Sequence, residues 1–147
     1  MRKIIVAHVK YPPKGYEHIQ CDRASVLGNP YEFKNESYRE SCIKAYRRWL
    51  WENYKLYQEY VKNPIFDLEE LDMECIPAEK ELLGLKIAEK FKEPSVYQVI
   101  TELELIAKVA NTKGDISLLC WCRGNPKVED RACHCDVIKS CVEKLFL

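Results

Sequence analysis

Strand-sized apolar runs alternate with segments of helical periodicity along this chain, and this order is the strongest constraint on its fold. Residues 3–9 and 115–122 have the continuous apolar character of buried strands, and residues 17–22 form a shorter candidate. The order strand, strand, long helix, insertion, helix, strand, helix favours a three-layer, Rossmann-like α/β domain. Its mainly parallel sheet would have three to four strands.

Three segments carry apolar residues at spacings of three and four, which predicts helices. After the long first helix, one helix is capped by Ser95 and the last begins near Cys133. Residues 63–93 form a charged, proline-punctuated insertion, in which a short helix over 78–91 is predicted. We therefore expect a single domain over 1–147 that carries this insertion.

The charge balance limits the class of partner. The chain has 147 residues, of which 47% are hydrophobic, so it can bury a core. Its 23 basic and 23 acidic side chains cancel. This argues against a nucleic-acid binder that relies on bulk charge. No apolar run approaches membrane-spanning length and no export signal is recognised, so we expect a cytoplasmic protein with no membrane partner.

Cysteine is unusually frequent and unevenly placed. There are eight cysteines, and without an export signal we expect reduced thiols instead of a disulfide framework. Cys120, Cys122, Cys133 and Cys135 fall within 16 residues around His134. The first pair ends a predicted strand and the second begins a predicted helix. In an open parallel sheet such positions line one crevice, so the strand-end sulfurs are expected to converge with the Cys133–His134 pair.

Three interpretations of this cluster remain open. Cys120, Cys122, Cys133 and His134 form a four-ligand set suited to zinc, which we prefer to an iron–sulfur centre. A cysteine at a helix N-terminus also has a lowered pKa, which predicts a reactive thiol or an anion pocket with His134 and Asp136 as acid–base candidates. The third interpretation is structural, with small thiols filling a tight turn.

A second candidate region covers residues 21–31, between a strand and the long helix. Arg23 can bind a phosphate or carboxylate bidentately, and Ser25 and Asn29 offer neutral hydrogen bonds. Gly28 permits close approach of the backbone. These residues would hold a small anionic ligand, such as a nucleotide-derived or otherwise phosphorylated compound. The alternative is a turn whose residues only hold its shape.

Three blocks of the chain carry a family resemblance. They are the loop 23–31 with its Gly-Asn-Pro-aromatic ending, the helix 42–50, and Cys-Trp-Cys followed by Cys-His-x-Asp with an apolar pair. In these blocks the chain resembles a small family of bacterial and phage proteins catalogued as a domain of unknown function, number 4326. The resemblance implies an intracellular α/β domain and supplies no activity.

The chain departs from the family pattern at three places. Residues 63–93 and 123–132 are longer than in that pattern. Cys135 stands where the family has a small residue, so we do not count it among the preferred ligands.

Two functions from different classes follow from these observations. The first is a ligand-binding or enzymatic domain, with a Cys/His-lined pocket at the strand ends. The second is a non-enzymatic interaction protein with a structural zinc site. Aromatic residues Trp49, Trp51 and Tyr60 lie off the apolar stripe of the long helix, and with the acidic insertion they would bind a protein partner. Substrate and oligomeric state stay open.

Overall fold

The computed structural model describes residues 3–22, 25–62, 73, 75–79, 82–89, 91–122, 126–127, 129 and 131–147. The chain forms two compact units, one made of Met1–Gly28 with Leu103–Leu147 and the other of Asn29–Glu102. Residues 63–72 of the expected insertion lie outside the described residues. The single domain with an insertion at 63–93 stays a prediction.

Helices and strands alternate within the described residues, and each unit contains its own sheet. In chain order the elements are β1 (Ile4–His8), β2 (Glu17–Gln20), β3 (Tyr31–Phe33), a 3-10 turn (Glu36–Tyr38), α1 (Arg39–Lys62), β4 (Leu85–Ile87), α2 (Val96–Lys113), β5 (Ile116–Cys120) and α3 (His134–Leu145). The expectation of a mixed α/β protein is confirmed.

The first unit is built on a three-stranded parallel sheet. Strand β5 lies in the centre, with β1 on one side and β2 on the other. All five residues of β5 are buried, as in a central parallel strand. The register places His8 opposite Cys120 and Gln20 opposite Leu119. The carboxyl ends of the three strands therefore share one edge, and α3 packs against β1 and β5.

Side-chain caps fix where the later helices begin, as the sequence predicts. At the start of α2 the Ser95 hydroxyl accepts from the Gln98 backbone N–H at 3.1 Å, and the Gln98 side chain accepts from Ser95 N–H at 2.9 Å. The same helix ends before Gly114, whose φ is 113°. Among the described residues no helix is long and apolar enough to cross a membrane.

The second unit packs around one face of α1. Tyr46 and Trp49 are buried, and the indole N–H of Trp49 donates to the Ile76 carbonyl at 2.8 Å. Trp49 is thus a core residue, whereas we expected it outside the apolar stripe. Trp51 is 48% exposed, and stacks on Tyr54.

The expected helix over 78–91 is wrong. Residues 85–87 form β4, which pairs antiparallel with β3. Leu83, expected on the buried stripe of that helix, is 86% exposed. Gly84 explains the difference, because its φ of 77° lies in the left-handed region and interrupts a right-handed helix. The spacing of four between Leu83, Ile87 and Phe91 therefore reflects a turn followed by a strand and not a helix.

Gly84→Ala is expected to lower the free energy of unfolding more than Gly15→Ala does. Both glycines have positive φ, at 77° and 85°, so an alanine costs about 1–2 kcal/mol at either position. A Cβ at residue 15 would meet open space, whereas at residue 84 it would overlap the Tyr38 ring. Urea unfolding of both variants measures the difference. Equal costs would contradict this account of the turn.

Candidate metal centre

Three buried thiols meet where β5 ends and α3 begins. The Sγ atoms of Cys120, Cys133 and Cys135 all lie within 4.8 Å of one another. None of the three residues is more than 2% exposed. The cluster could hold a metal ion, because it presents three soft ligand atoms to one point.

The first turn of α3 positions two of these sulfurs. Cys133 is the N-cap, with extended backbone, and its sulfur accepts from the Cys135 backbone N–H at 3.5 Å. In return the Asp136 carboxylate accepts from the Cys133 N–H at 3.1 Å. This is a capping box in which a cysteine replaces the usual serine or threonine. The cap thus holds the Cys133 sulfur over the first turn, beside Cys135.

The sheet positions the third sulfur. The ladder continues past the strand ends, since Val9 N–H donates to the Cys120 carbonyl at 2.9 Å and Cys21 N–H donates to the Leu119 carbonyl at 3.0 Å. Backbone on both sides of Cys120 is therefore held by hydrogen bonds. This fixes the direction in which the Cys120 side chain leaves the sheet.

Interactions among the thiols lower the pKa of Cys133 and also that of Cys120, the latter first through Cys122. The thiol of Cys120, and then those of Cys122 and Cys135, interact with the Cys133 sulfur and hold its pKa far below the usual range of a thiol. The pKa of Cys135 is raised, first through its hydrogen bond with Cys120. Cys133 also caps a helix N-terminus, where negative charge is stabilised. Because the thiolate is the form that binds metal, Cys133 is the natural first ligand.

His134 borders the cluster with a defined tautomer. Its Nε2 lies 2.5 Å from the Cys21 carbonyl oxygen, which can only accept, so Nε2 carries the proton. Its Nδ1 therefore has the lone pair and lies 3.6 Å from the Cys133 sulfur. A ligand histidine commonly donates its other N–H to a backbone carbonyl, so this arrangement suits either a ligand or a neighbour of the ligands.

Each of the four residues expected as ligands lies at this place. Cys120 and Cys133 are in the buried triad, Cys122 lies outside it but lowers the pKa of both, and His134 lies beside Cys133. Cys135, which we did not count, supplies the third sulfur of the triad. Its signal in the sequence is the spacing Cys-x-Cys, which repeats that of Cys120 and Cys122.

Asp136 has a structural task in this site. Its carboxylate completes the capping box of α3 through the Cys133 N–H. The acid–base role of Asp136 and His134 stays a prediction.

The described residues of the second expected region include backbone and side-chain hydrogen bonds typical of turns. Ser25 donates to the Asp22 carbonyl through its N–H at 3.0 Å and its hydroxyl at 2.8 Å, and Gly28 N–H donates to the Ser25 carbonyl at 2.9 Å. Asn29 belongs to the second unit, where its amide donates to the Cys42 sulfur at 3.3 Å. Arg23 lies outside the described residues. Ligand binding by these four residues stays a prediction.

A cavity of about 450 Å³ lies in the second unit and includes none of the residues expected to bind a ligand. Arg48 and Glu79, which both line it, form an ion pair at 3.3 Å. Its lining residues are Tyr31, Ser41, Lys44, Ala45, Arg48, Glu79, Leu82, Leu83 and Leu85.

Comparison with known proteins yields a family match that includes the cysteine cluster. The family described as "Domain of unknown function (DUF4326)" matches residues 7–144. No curated protein and no solved structure matches the chain.

Asp136→Ala is expected to lower the free energy of unfolding by about 1 kcal/mol, because it removes one half of the capping box. Glu143→Ala in the same helix is the control, since this exposed carboxylate has only a 3.9 Å ion pair with Lys139. Denaturant unfolding of both variants, compared with the unsubstituted protein, checks this. A cost at residue 136 no larger than that at residue 143 would refute the role of the cap.

Proposed function

The chain belongs to the family Domain of unknown function (DUF4326), and we propose that it is a zinc-binding α/β protein whose metal joins the end of β5 to the first turn of α3. The observation that carries this proposal is the triad of buried sulfurs within 4.8 Å of one another. With Zn–S bonds of about 2.3 Å, the sulfurs of a tetrahedral site lie about 3.8 Å apart. The triad needs only small side-chain adjustments to reach that geometry.

Cys122 is the proposed fourth ligand. Its thiol is near enough to lower the pKa of both Cys120 and Cys133, although its sulfur lies outside the group within 4.8 Å. His134 then acts as a positioning residue, since its Nε2–H holds the Cys21 carbonyl while its ring borders the Cys133 sulfur. Four thiolates close the coordination sphere, which is typical of structural zinc.

The role of the metal follows from the elements that it would connect. Zinc bound at such a site supplies folding free energy, because the ligands are brought together only in the folded chain. Here Cys120 ends a strand, and Cys133 and Cys135 begin a helix, with the segment 121–132 between them. A closed structural site favours the interaction protein over the thiol enzyme. Its protein partner remains part of the proposal.

Two finer assignments belong to the same proposal. The packing of α3 against β1 and β5 supports one helical layer of a Rossmann-like arrangement. All eight cysteines are free thiols, which supports a reducing compartment such as the cytoplasm.

Protein purified without added metal is expected to contain about one equivalent of zinc by elemental analysis. Removing the zinc with a chelator should lower the free energy of unfolding. The loss is about 2.7 kcal/mol when the comparison is with protein in free zinc at a hundred times the Kd. Circular dichroism and denaturant titration measure the loss.

Cys120→Ser should lose the zinc, whereas Cys141→Ser should retain it. Cys141 is the matched control because it lies outside the triad, and burial raises the pKa of its thiol to about 11. Metal-free protein that is as stable as the purified form would refute a structural role. Equal zinc content in the two variants would refute the ligand assignment.

Substitution with cobalt(II) tests the fourth ligand. We expect His134→Gln to keep the absorption spectrum of tetrahedral cobalt with four thiolates, and Cys122→Ser to lose part of the thiolate-to-cobalt charge-transfer intensity. The reverse result would assign the fourth position to His134.

A further inference from the structure

A second group of side chains lies beside the cysteines at the carboxyl edge of the parallel sheet. His8 ends β1, and Trp121 follows directly after β5. The two ring centroids are 5.3 Å apart, in an edge-to-face arrangement. The Nζ of Lys10 lies 5.5 Å from the centroid of the Trp121 ring. All three residues belong to the first unit.

His8 presents a ring N–H donor at this edge. The residue is 3% exposed, and its Nδ1 accepts from the Lys10 backbone N–H at 3.1 Å. In the neutral ring the proton is therefore on Nε2. Within the described part of the chain no group accepts from Nε2. Among those residues Asn53 Oδ1 is the side-chain atom that is both fully enclosed and without a partner, so His8 Nε2 is not fully enclosed. The Nε2 of His8 therefore borders solvent, ready to donate to a ligand.

Trp121 provides a rigid flat surface next to this donor. It is 50% exposed, and its Nε1–H donates to the Asp22 carboxylate at 3.3 Å. The same carboxylate oxygen accepts from the Gln20 amide at 2.8 Å. The indole edge is thus anchored, while half of the residue is exposed to solvent and the Lys10 ammonium lies over the ring.

We propose that His8, Lys10 and Trp121 bind a planar aromatic molecule that carries a phosphate or carboxylate group. His8 Nε2–H and the Lys10 ammonium are donors for the anionic group, and Trp121 stacks on the ring. The position agrees with the general rule that ligands of open parallel sheets bind outside the carboxyl ends of the strands. The site goes beyond the zinc centre and uses none of its ligands.

Indole N–H resonances in a ¹⁵N NMR spectrum test the site directly. The Trp121 signal is assigned by its absence in Trp121→Phe, and Trp49 and Trp51 serve as internal controls. Adenosine monophosphate is the probe with a phosphate group, and indole-3-acetate is the probe with a carboxylate group. Adenosine, which lacks the phosphate, and inorganic phosphate, which lacks the aromatic ring, are the fragment controls for adenosine monophosphate. We expect saturable movement of the Trp121 signal with at least one complete probe, and at least about tenfold weaker binding of the matching fragments.

Lys10→Met is expected to weaken binding of the complete probe about tenfold, and His8→Phe to do the same while keeping an aromatic ring. Lys14→Met is the matched control, because it also removes an exposed positive charge from the same loop. The exposed position of Lys10 keeps the test available if His8→Phe does not fold.

Zinc content, measured on every variant, separates the two sites: lost binding with retained zinc supports an independent ligand site. The proposal is overturned if no probe moves the Trp121 signal at millimolar concentration. It is equally overturned if Lys10→Met binds as tightly as Lys14→Met.

Discussion

The meeting of the β5 terminus with the first turn of α3 is the contact on which the first unit depends. Three sulfurs are enclosed there, and the capping box of α3 shares one of them, since the Cys133 sulfur accepts from the Cys135 N–H. A buried thiolate needs compensation. Neighbouring thiols and the helix N-terminus supply part of it, and the proposed zinc ion would supply the rest.

The parallel sheet brings this contact and the proposed ligand site of His8, Lys10 and Trp121 to the same edge. Because β1 and β2 both run parallel to β5, His8, Gln20 and Cys120 all lie at strand ends. Trp121 stands between two proposed ligands, Cys120 and Cys122, in the sequence. A metal at the cysteines would therefore hold the backbone on both sides of the indole, so the metal centre would stabilise the proposed ligand site without touching the ligand.

The elements differ in how well the sequence predicts them. The sequence predicts β1, β5 and the three helices because their apolar patterns are strong and local, and because Ser95 and Cys133 mark the starts of α2 and α3. The strands β3 and β4 were missed, since each has three residues and their pairing joins Tyr31 to Ile87, far apart in the chain. Cys135 was set aside on the family pattern, although its spacing from Cys133 repeats that of the first cysteine pair. Its contact with Cys120 depends on the crossing of a strand and a helix, which no local pattern encodes.

X-ray absorption at the zinc edge of the purified protein reports the ligand atoms of the proposed metal centre. Four cysteine ligands predict a first shell of four sulfur atoms at about 2.3 Å, with no oxygen or nitrogen neighbour at about 2.0 Å. A shell made only of oxygen and nitrogen, or protein that contains no zinc at all, would contradict it.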